Sequence, residues 1–422
     1  MPPSERRRLT LACALAAALA VADGALAGPP SPITGGEADY RPLVDAARGS
    51  TFVLLGESTH GTREFYRERA RITEQLIRAG AVRAIAIEGD WSGAERLNRY
   101  LRGQGEDRTA EAALSGFDEF PTWMWRNAEF RDFVERVRAI NLARPAEQRV
   151  GIYGLDVYDF FDAADAVTAR LATLEPATAQ RVRSHYGCFG RFRRSADRYS
   201  EAVRGGRTCR RQAEQALAEV ERIAPVLADE EARFALRRAA ATVVAGEEYF
   251  RIQQATGYSW NARDRRMAQA AAEIARHAGG GVAIWAHNTH VGDARHTSQR
   301  QQGDVTLGQL LRERGGAFLV GFLTYEGEVT AAELWGGKPR TFAVPPAAPE
   351  SHEARLHTEG PADALRLLRG EPARPRARER AIGVIFNPRR ERQSHYIDAV
   401  LEQQFDTVVF LDRTRAVTPL PR

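Results

Sequence analysis

Glu57 and His60 stand three residues apart in the stretch GESTHG, directly behind an apolar run from Thr51 to Leu55. An acid so placed can hold one tautomer of an imidazole and favour the imidazolium that forms when the ring takes a proton, which is what a general base requires. Three more apolar runs of strand length end in a similar way. Val82 to Ile87 stops at Glu88, Gly89 and Asp90; Val150 to Leu155 stops at Asp156; Val282 to Ala286 stops at His287, followed by Asn288, Thr289 and His290. Each has an ordinary structural explanation taken alone, as a helix cap, a turn acid or a loop histidine. Together they have a single explanation in a parallel sheet, whose carboxyl ends reach one edge where open α/β folds bind ligands.

The elements that must position these residues follow from periodicity. Gly56 permits a sharp exit from the first run, and Glu64 to Ala79 carries Phe65, Ile72, Leu76 and Ile77 at helical spacing with charges between. The order strand, polar loop, helix puts Glu57 and His60 on the loop, with the partial positive charge of a helix start just beyond. Residues 28–157 read as a Pro/Gly-rich lead-in and the first half of an α/β core. Residues 158–260 read as a helical insertion rich in Ala, Arg and Glu, and residues 261–422 as the second half. Strand-like runs resume at Val282, at Phe318 to Leu323, at Ala381 to Phe386 and at Val408 to Leu411, while Pro345 to Arg380 reads as a surface excursion. No internal repeat or long low-complexity tract is found.

With 422 residues, 43% of them hydrophobic, the chain can bury a large core. Sixty basic residues against 55 acidic leave a net charge of only +5, with arginine dispersed throughout, so there is no electrostatic footprint for nucleic acid. Arg6, Arg7 and Arg8, the apolar run Leu9 to Val21 and the small residues Ala25-Leu26-Ala27 read as a secretory signal over residues 1–27. This predicts a periplasmic or secreted chain starting at Gly28; the apolar run is too short to span a bilayer, and no later segment is apolar enough for stable membrane insertion. Removal of Cys13 with the signal leaves Cys188 and Cys209 in an oxidising compartment, where the pair is expected to bridge.

The segments LLGESTHGTREFYRER, AIAIEGDW, FPTWMWRNAEF, GIYGLDVYD, WNARDRRMA, IWAHNTHV and FDTVVFLDRTRAVTPL, in this order, resemble the erythromycin esterase family over most of the chain behind the signal. The resemblance implies a three-layer α/β/α core with a mostly parallel sheet, plus helical additions forming one wall of a deep cleft. It implies that His60 is the general base activating water against a macrolactone ester, that Glu57 orients it, and that Glu88, His287 and His290 are further active-site residues. Arg69 and Arg263 would line the cleft, with Arg126 and Asp156 beside them as substrate-binding residues. No metal and no cofactor is implied; the partner would be a small-molecule ester, a macrolide among the candidates, with macrolide resistance as the consequence.

The residue types suit this chemistry independently of the family. Ester hydrolysis needs a base near neutrality, a donor to the tetrahedral oxyanion and a proton for the leaving alkoxide. His60 supplies the first, and His287, His290 or an arginine the second. Ser58 lacks the Gly-x-Ser-x-Gly elbow of a serine nucleophile, which favours direct attack by water. Two alternatives use the same residues: a metal- or haem-binding periplasmic protein, in which three histidines and two carboxylates are ligands, and an esterase for a non-macrolide substrate. Against the first, neither His-Asn-Thr-His nor Glu-Ser-Thr-His is His-Glu-x-x-His. Trp91, Trp123, Trp125 and Trp260 are either apolar walls for a bulky ligand or core packing.

Overall fold

The computed structural model describes residues 28–192 and 194–421; the expected signal segment lies outside the described residues. Four short segments, FVLL, AIAI, GIYG and VAIW, form strands β2 (Phe52–Leu55), β3 (Ala84–Ile87), β4 (Gly151–Gly154) and β5 (Val282–Trp285). Every residue in them is buried, as befits parallel strands covered on both faces. They join β1 (Ser31–Pro32), β6 (Ala317–Ala331), β7 (Arg340–Val344), β8 (Asp363–Leu367) and β11 (Thr407–Thr414) in a nine-stranded sheet of order β1-β8-β11-β6-β2-β5-β3-β4, with β7 paired to β6. From β11 to β4 all neighbours are parallel; β1, β8 and β7 are attached antiparallel. Two more strands, β9 (Ala377–Arg380) and β10 (Tyr396–Ala399), form a separate antiparallel pair.

The strand ends meet as the apolar runs predicted. Leu55 and Ile87 both pair with Trp285, and Ile87 pairs with Gly154, so the residues after β2, β5, β3 and β4 leave the sheet side by side at one level. Side chains alternate between two cores. Val53, Leu55, Ile85 and Ile87 pack with Phe65 and Phe130 on one face, while Phe52, Leu54, Ala84 and Ala86 pack with Phe160, Met267 and Ile274 on the other. Helices Arg63–Arg78 and Ala128–Leu142 form one outer layer and helix Trp260–Ala278 part of the second, which makes the core a three-layer α/β/α arrangement.

The described residues between 160 and 256 fold as helices and their connections, the longest being Glu230–Thr256. Asp229 starts this helix by accepting the Ala232 N–H, and Gly257, with φ of 75°, ends it in the left-handed conformation that favours glycine. Cys188 and Cys209 are joined by a disulfide, with Cα atoms 5.8 Å apart, tying helix Pro176–Gly190 to the start of Arg210–Ile223. No helix among the described residues is long and apolar enough to cross a membrane.

Two expectations are corrected. The run Ala381–Phe386 is not a strand: its backbone pins the loop after β2, with Ile382 N–H donating to Ser58 O at 2.8 Å and Ile382 O accepting His60 N–H at 3.2 Å. The segment Pro345–Arg380 is not a surface excursion either. It contains helix His352–Glu359 and strand β8, which pairs with β11 inside the main sheet. The arginines that gave β8 a surface look are neutralised locally, Arg366 by Glu371 at 2.8 Å.

Removing the disulfide with Cys188→Ala and Cys209→Ala together is expected to lower stability by about 3 kcal/mol on the chain-entropy model, read as a reduced denaturation midpoint. The parent, unfolded without reductant, should titrate no free thiol in a chain begun at Gly28; an unchanged midpoint would contradict the stabilising role.

Candidate active site

The loop after β2 is built by backbone bonds to its neighbours. Gly56 N–H donates to Val320 O and Ser58 N–H to Phe322 O, so the loop continues along β6. A Cβ on Gly56 would lie 2.1 Å from Asn288 Oδ1, so only glycine lets this loop and the loop after β5 approach so closely. His60 Nδ1 then lies 3.0 Å from Glu57 Oε1, and Glu57 Oε2 accepts Arg69 Nη2–H at 2.6 Å. Arg69 is fully buried behind Glu57, its guanidinium over the rings of Tyr66 and Trp285 at 4.6 and 4.7 Å. With Glu57 an acceptor, His60 carries its proton on Nδ1 and presents the Nε2 lone pair, to which no described residue hydrogen-bonds.

A second cluster centres on Arg263. Its Nε and Nη2 donate to Asp156 at 2.9 and 2.6 Å, Nη2 also donates to Glu88 at 2.8 Å, and Nη1 lies 2.8 Å from His290 Nε2. His290 Nδ1 lies 2.9 Å from Asp264, and its ring stacks on Trp260 with centroids 4.2 Å apart. Burial opposes protonation of His290, but the carboxylates of Asp264 and Glu88 favour it more strongly and raise its pKa. Burial alone would raise Glu88; the charges of His290 and Arg263 outweigh it and hold the carboxylate well below its usual range.

His287 connects the two clusters. Its backbone N–H donates to Glu88 Oε2 at 2.8 Å and its ring lies 4.7 Å from that of His60. Nδ1 accepts the Thr289 N–H at 3.2 Å and lies 2.8 Å from Thr289 Oγ1, an arrangement that leaves the ring proton to the buried Nε2. Burial, then the neighbouring His60, push the His287 pKa well below the usual histidine value, keeping the ring neutral.

His60, Glu88, Asp156, Arg263, His287 and His290 line one cavity of about 310 Å³. Three expected site residues do not. Glu57 stands behind His60 and touches it without reaching the cavity. Arg69 acts from behind Glu57, and Arg126 points to the C-terminal segment, donating to Pro421 O at 2.7 Å; its neighbours Met124 and Trp125 reach the cavity instead. Trp125 and Trp260 are cavity walls, whereas Trp91 and Trp123 are core. The sequence reading missed Asp264, although Trp260, Arg263 and Asp264 follow the i, i+3, i+4 spacing of one helix face. It also missed Tyr158, which flanks the helical segment and lines the cavity, and Glu379, whose Oε1 accepts Asn288 Nδ2–H at 3.0 Å.

As metal ligands these residues fit poorly. Arg263 already occupies both oxygens of Asp156 and one of Glu88, the His287 N–H holds the other, and both nitrogens of His290 are engaged. No group of three or more His, Cys, Asp or Glu among the described residues is arranged to hold a metal ion.

A three-layer α/β core with two histidine–carboxylate–arginine clusters at its strand ends defines the class. The model of the erythromycin esterase family matches residues 78–414, and the chain belongs to that family. Three solved structures share the fold. A succinoglycan biosynthesis protein is 20% identical, with TM-score 0.73 over 93% of this chain and 96% of that one. A Bacillus cereus protein is 17% identical, with TM-score 0.73 over 93% and 97%. A mutant of the erythromycin esterase EreC in its open conformation is 18% identical, with TM-score 0.64 over 89% and 94%.

Glu379 offers a pH test of the support under the His287 loop. Burial and then Glu353 push its carboxyl up to about 8. Its folded pKa therefore exceeds the unfolded value of about 4.3, so its contribution to stability is full below that pH and is lost as pH rises toward 8. Glu379→Gln, which keeps an acceptor for Asn288, should gain thermal stability relative to the parent between pH 5 and pH 8; a pH-independent difference in Tm would contradict this.

Proposed function

We propose that this chain is an exported carboxylic ester hydrolase in which His60 activates water. The observation that supports this most is the buried series Arg69, Glu57, His60: one carboxylate fixes the Nδ1–H tautomer with one oxygen and is itself fixed by a guanidinium through the other. A water proton passes to His60 Nε2 while the water oxygen bonds to the ester carbon. Glu57 compensates the charge on the ring. The tetrahedral oxyanion takes its hydrogen bond from His287 Nε2–H, a proton held on that nitrogen by Thr289. Collapse breaks the bond to the alkoxy oxygen, which receives the proton from His60, giving acid and alcohol.

Glu88 sets the height of His287 through its backbone N–H, and Arg263 with Asp156 and His290 forms the opposite, polar wall that orients the ester. Ser58 is fully buried and does not line the cavity, which supports water over a serine nucleophile. The substrate in this reading is a macrolactone whose reacting edge enters the cavity while the ring lies across its mouth. A second reading, a smaller ester, is favoured by the volume of about 310 Å³, at the low end of ligand pockets.

Mass-spectrometric assay of metal-free protein begun at Gly28 separates these readings. Gain of one water by 14-membered macrolides is expected, with His60→Ala slower by about 100- to 10,000-fold at unchanged circular dichroism. Hydrolysis of short esters alone would favour the second reading, and full activity of His60→Ala would overturn the mechanism.

A further inference from the structure

A second cavity, of about 390 Å³, lies among helices Arg210–Ile223, Glu230–Thr256 and Trp260–Ala278 and shares no lining residue with the reaction cavity. Four arginines line it: Arg233, Arg237 and Arg238 on the second of these helices, and Arg276 on the third. Two carboxylates beside them are fully engaged. Glu221 holds Arg237 with its two oxygens at 3.0 and 2.9 Å, and Glu273 accepts Arg238 Nη1–H at 2.7 Å and Gln269 Nε2–H at 3.0 Å. Arg233 and Arg276 pair with no carboxylate among the described residues, and the exposed Glu230 is the remaining acid of the wall.

Arg238 is the buried member of the group. It is 7% exposed, its guanidinium sits over the Trp91 ring at 5.6 Å, and its Nε–H is buried with no acceptor among the described residues. Burial lowers its pKa by more than the Glu273 carboxylate restores, and Arg266 adds to the lowering. Arginine stays charged all the same, so the wall of this cavity keeps a buried cationic donor that the protein leaves unmet.

Leu217 and Phe234 give the cavity an apolar side. Phe234 is fixed there by His277, ring on ring at 3.9 Å, and His277 by Glu231 at 2.9 Å. Three guanidiniums around one space offer more donors than the two oxygens of a carboxylate accept. They match the three oxygens and double charge of a phosphate monoester, which arginine forks bind in pairs of hydrogen bonds.

We propose that this cavity binds a small phosphate monoester, its phosphate received by Arg233, Arg238 and Arg276 and its apolar group by Leu217 and Phe234. The site is separate from the reaction cavity and stands whether or not the chain hydrolyses esters.

Calorimetric titration of protein begun at Gly28 tests it, with phenyl phosphate, inorganic phosphate and benzoate in about 0.15 M salt, where loose surface attraction is screened. Phenyl phosphate is expected to saturate one site per chain and to bind about tenfold more tightly than either other anion. Arg233→Gln and Arg276→Gln should each weaken it by about tenfold. Arg238→Gln should abolish binding, and the first two variants keep the test sound if loss of the Glu273 partner unfolds the third. Arg265→Gln, an exposed arginine of helix Trp260–Ala278 outside the cavity, should change nothing.

Absence of saturable binding at millimolar phenyl phosphate would overturn the proposal. So would affinity equal to that of benzoate or inorganic phosphate, or an equal loss from Arg265→Gln, which would mean attraction to an arginine-rich surface only.

Discussion

The site depends on one buried cation. Arg263 brings a permanent charge to the edge of the sheet, a position tolerable only because the carboxylates of Asp156 and Glu88 meet it at 2.6 to 2.9 Å. The dependence is mutual, since without the guanidinium two carboxylates would face each other in a poorly hydrated wall. Its partners follow β3, β4 and β5, while Arg263 sits on helix Trp260–Ala278, so the ion cluster joins the two halves of the chain across the helical segment between them.

The same device appears twice. Glu57 lies between Arg69 and the ring of His60; Glu88 lies between Arg263 and the backbone of His287. In each, an arginine fixes one carboxylate oxygen so that the other can fix a histidine, leaving one imidazole as a lone-pair carrier and the other as a proton carrier. Because β2, β5 and β3 are neighbours in the sheet, the two assemblies meet with the rings 4.7 Å apart. The bond from His287 N–H to Glu88 and the close fit of Gly56 against Asn288 keep that separation from depending on side-chain rotamers alone.

Much of this was legible because buried parallel strands are continuous apolar runs, and the first polar residue after each marks where it leaves the sheet. FVLL, AIAI, GIYG and VAIW needed no more than that. What escaped was written in other periods. Asp264 is legible only as part of a helix face with Trp260 and Arg263. Strand β8 hides behind arginines that are paired with nearby acids. Ala381–Phe386 has the composition of a strand, yet its backbone serves the loop of Ser58 and His60, a long-range use that no local pattern records. Arg126 was drawn into the site by its neighbours in WMWRN, whose alternation sends Trp125 inward and the arginine toward Pro421.

Strand β6 runs for 15 residues, far beyond the partners that bury its first half. Its far end, past β2 and β11, pairs with β7 as a hairpin at the margin of the sheet, and the turn between them carries Trp335 to the mouth of the cavity. The exposed crest of that turn, Leu334 and Trp335, can change its side chains without touching a strand end, while its base at Ala332 is held by backbone bonds to Val384 and Phe386. Relatives built on this plan can diverge in what they admit while the reacting groups stay where they are.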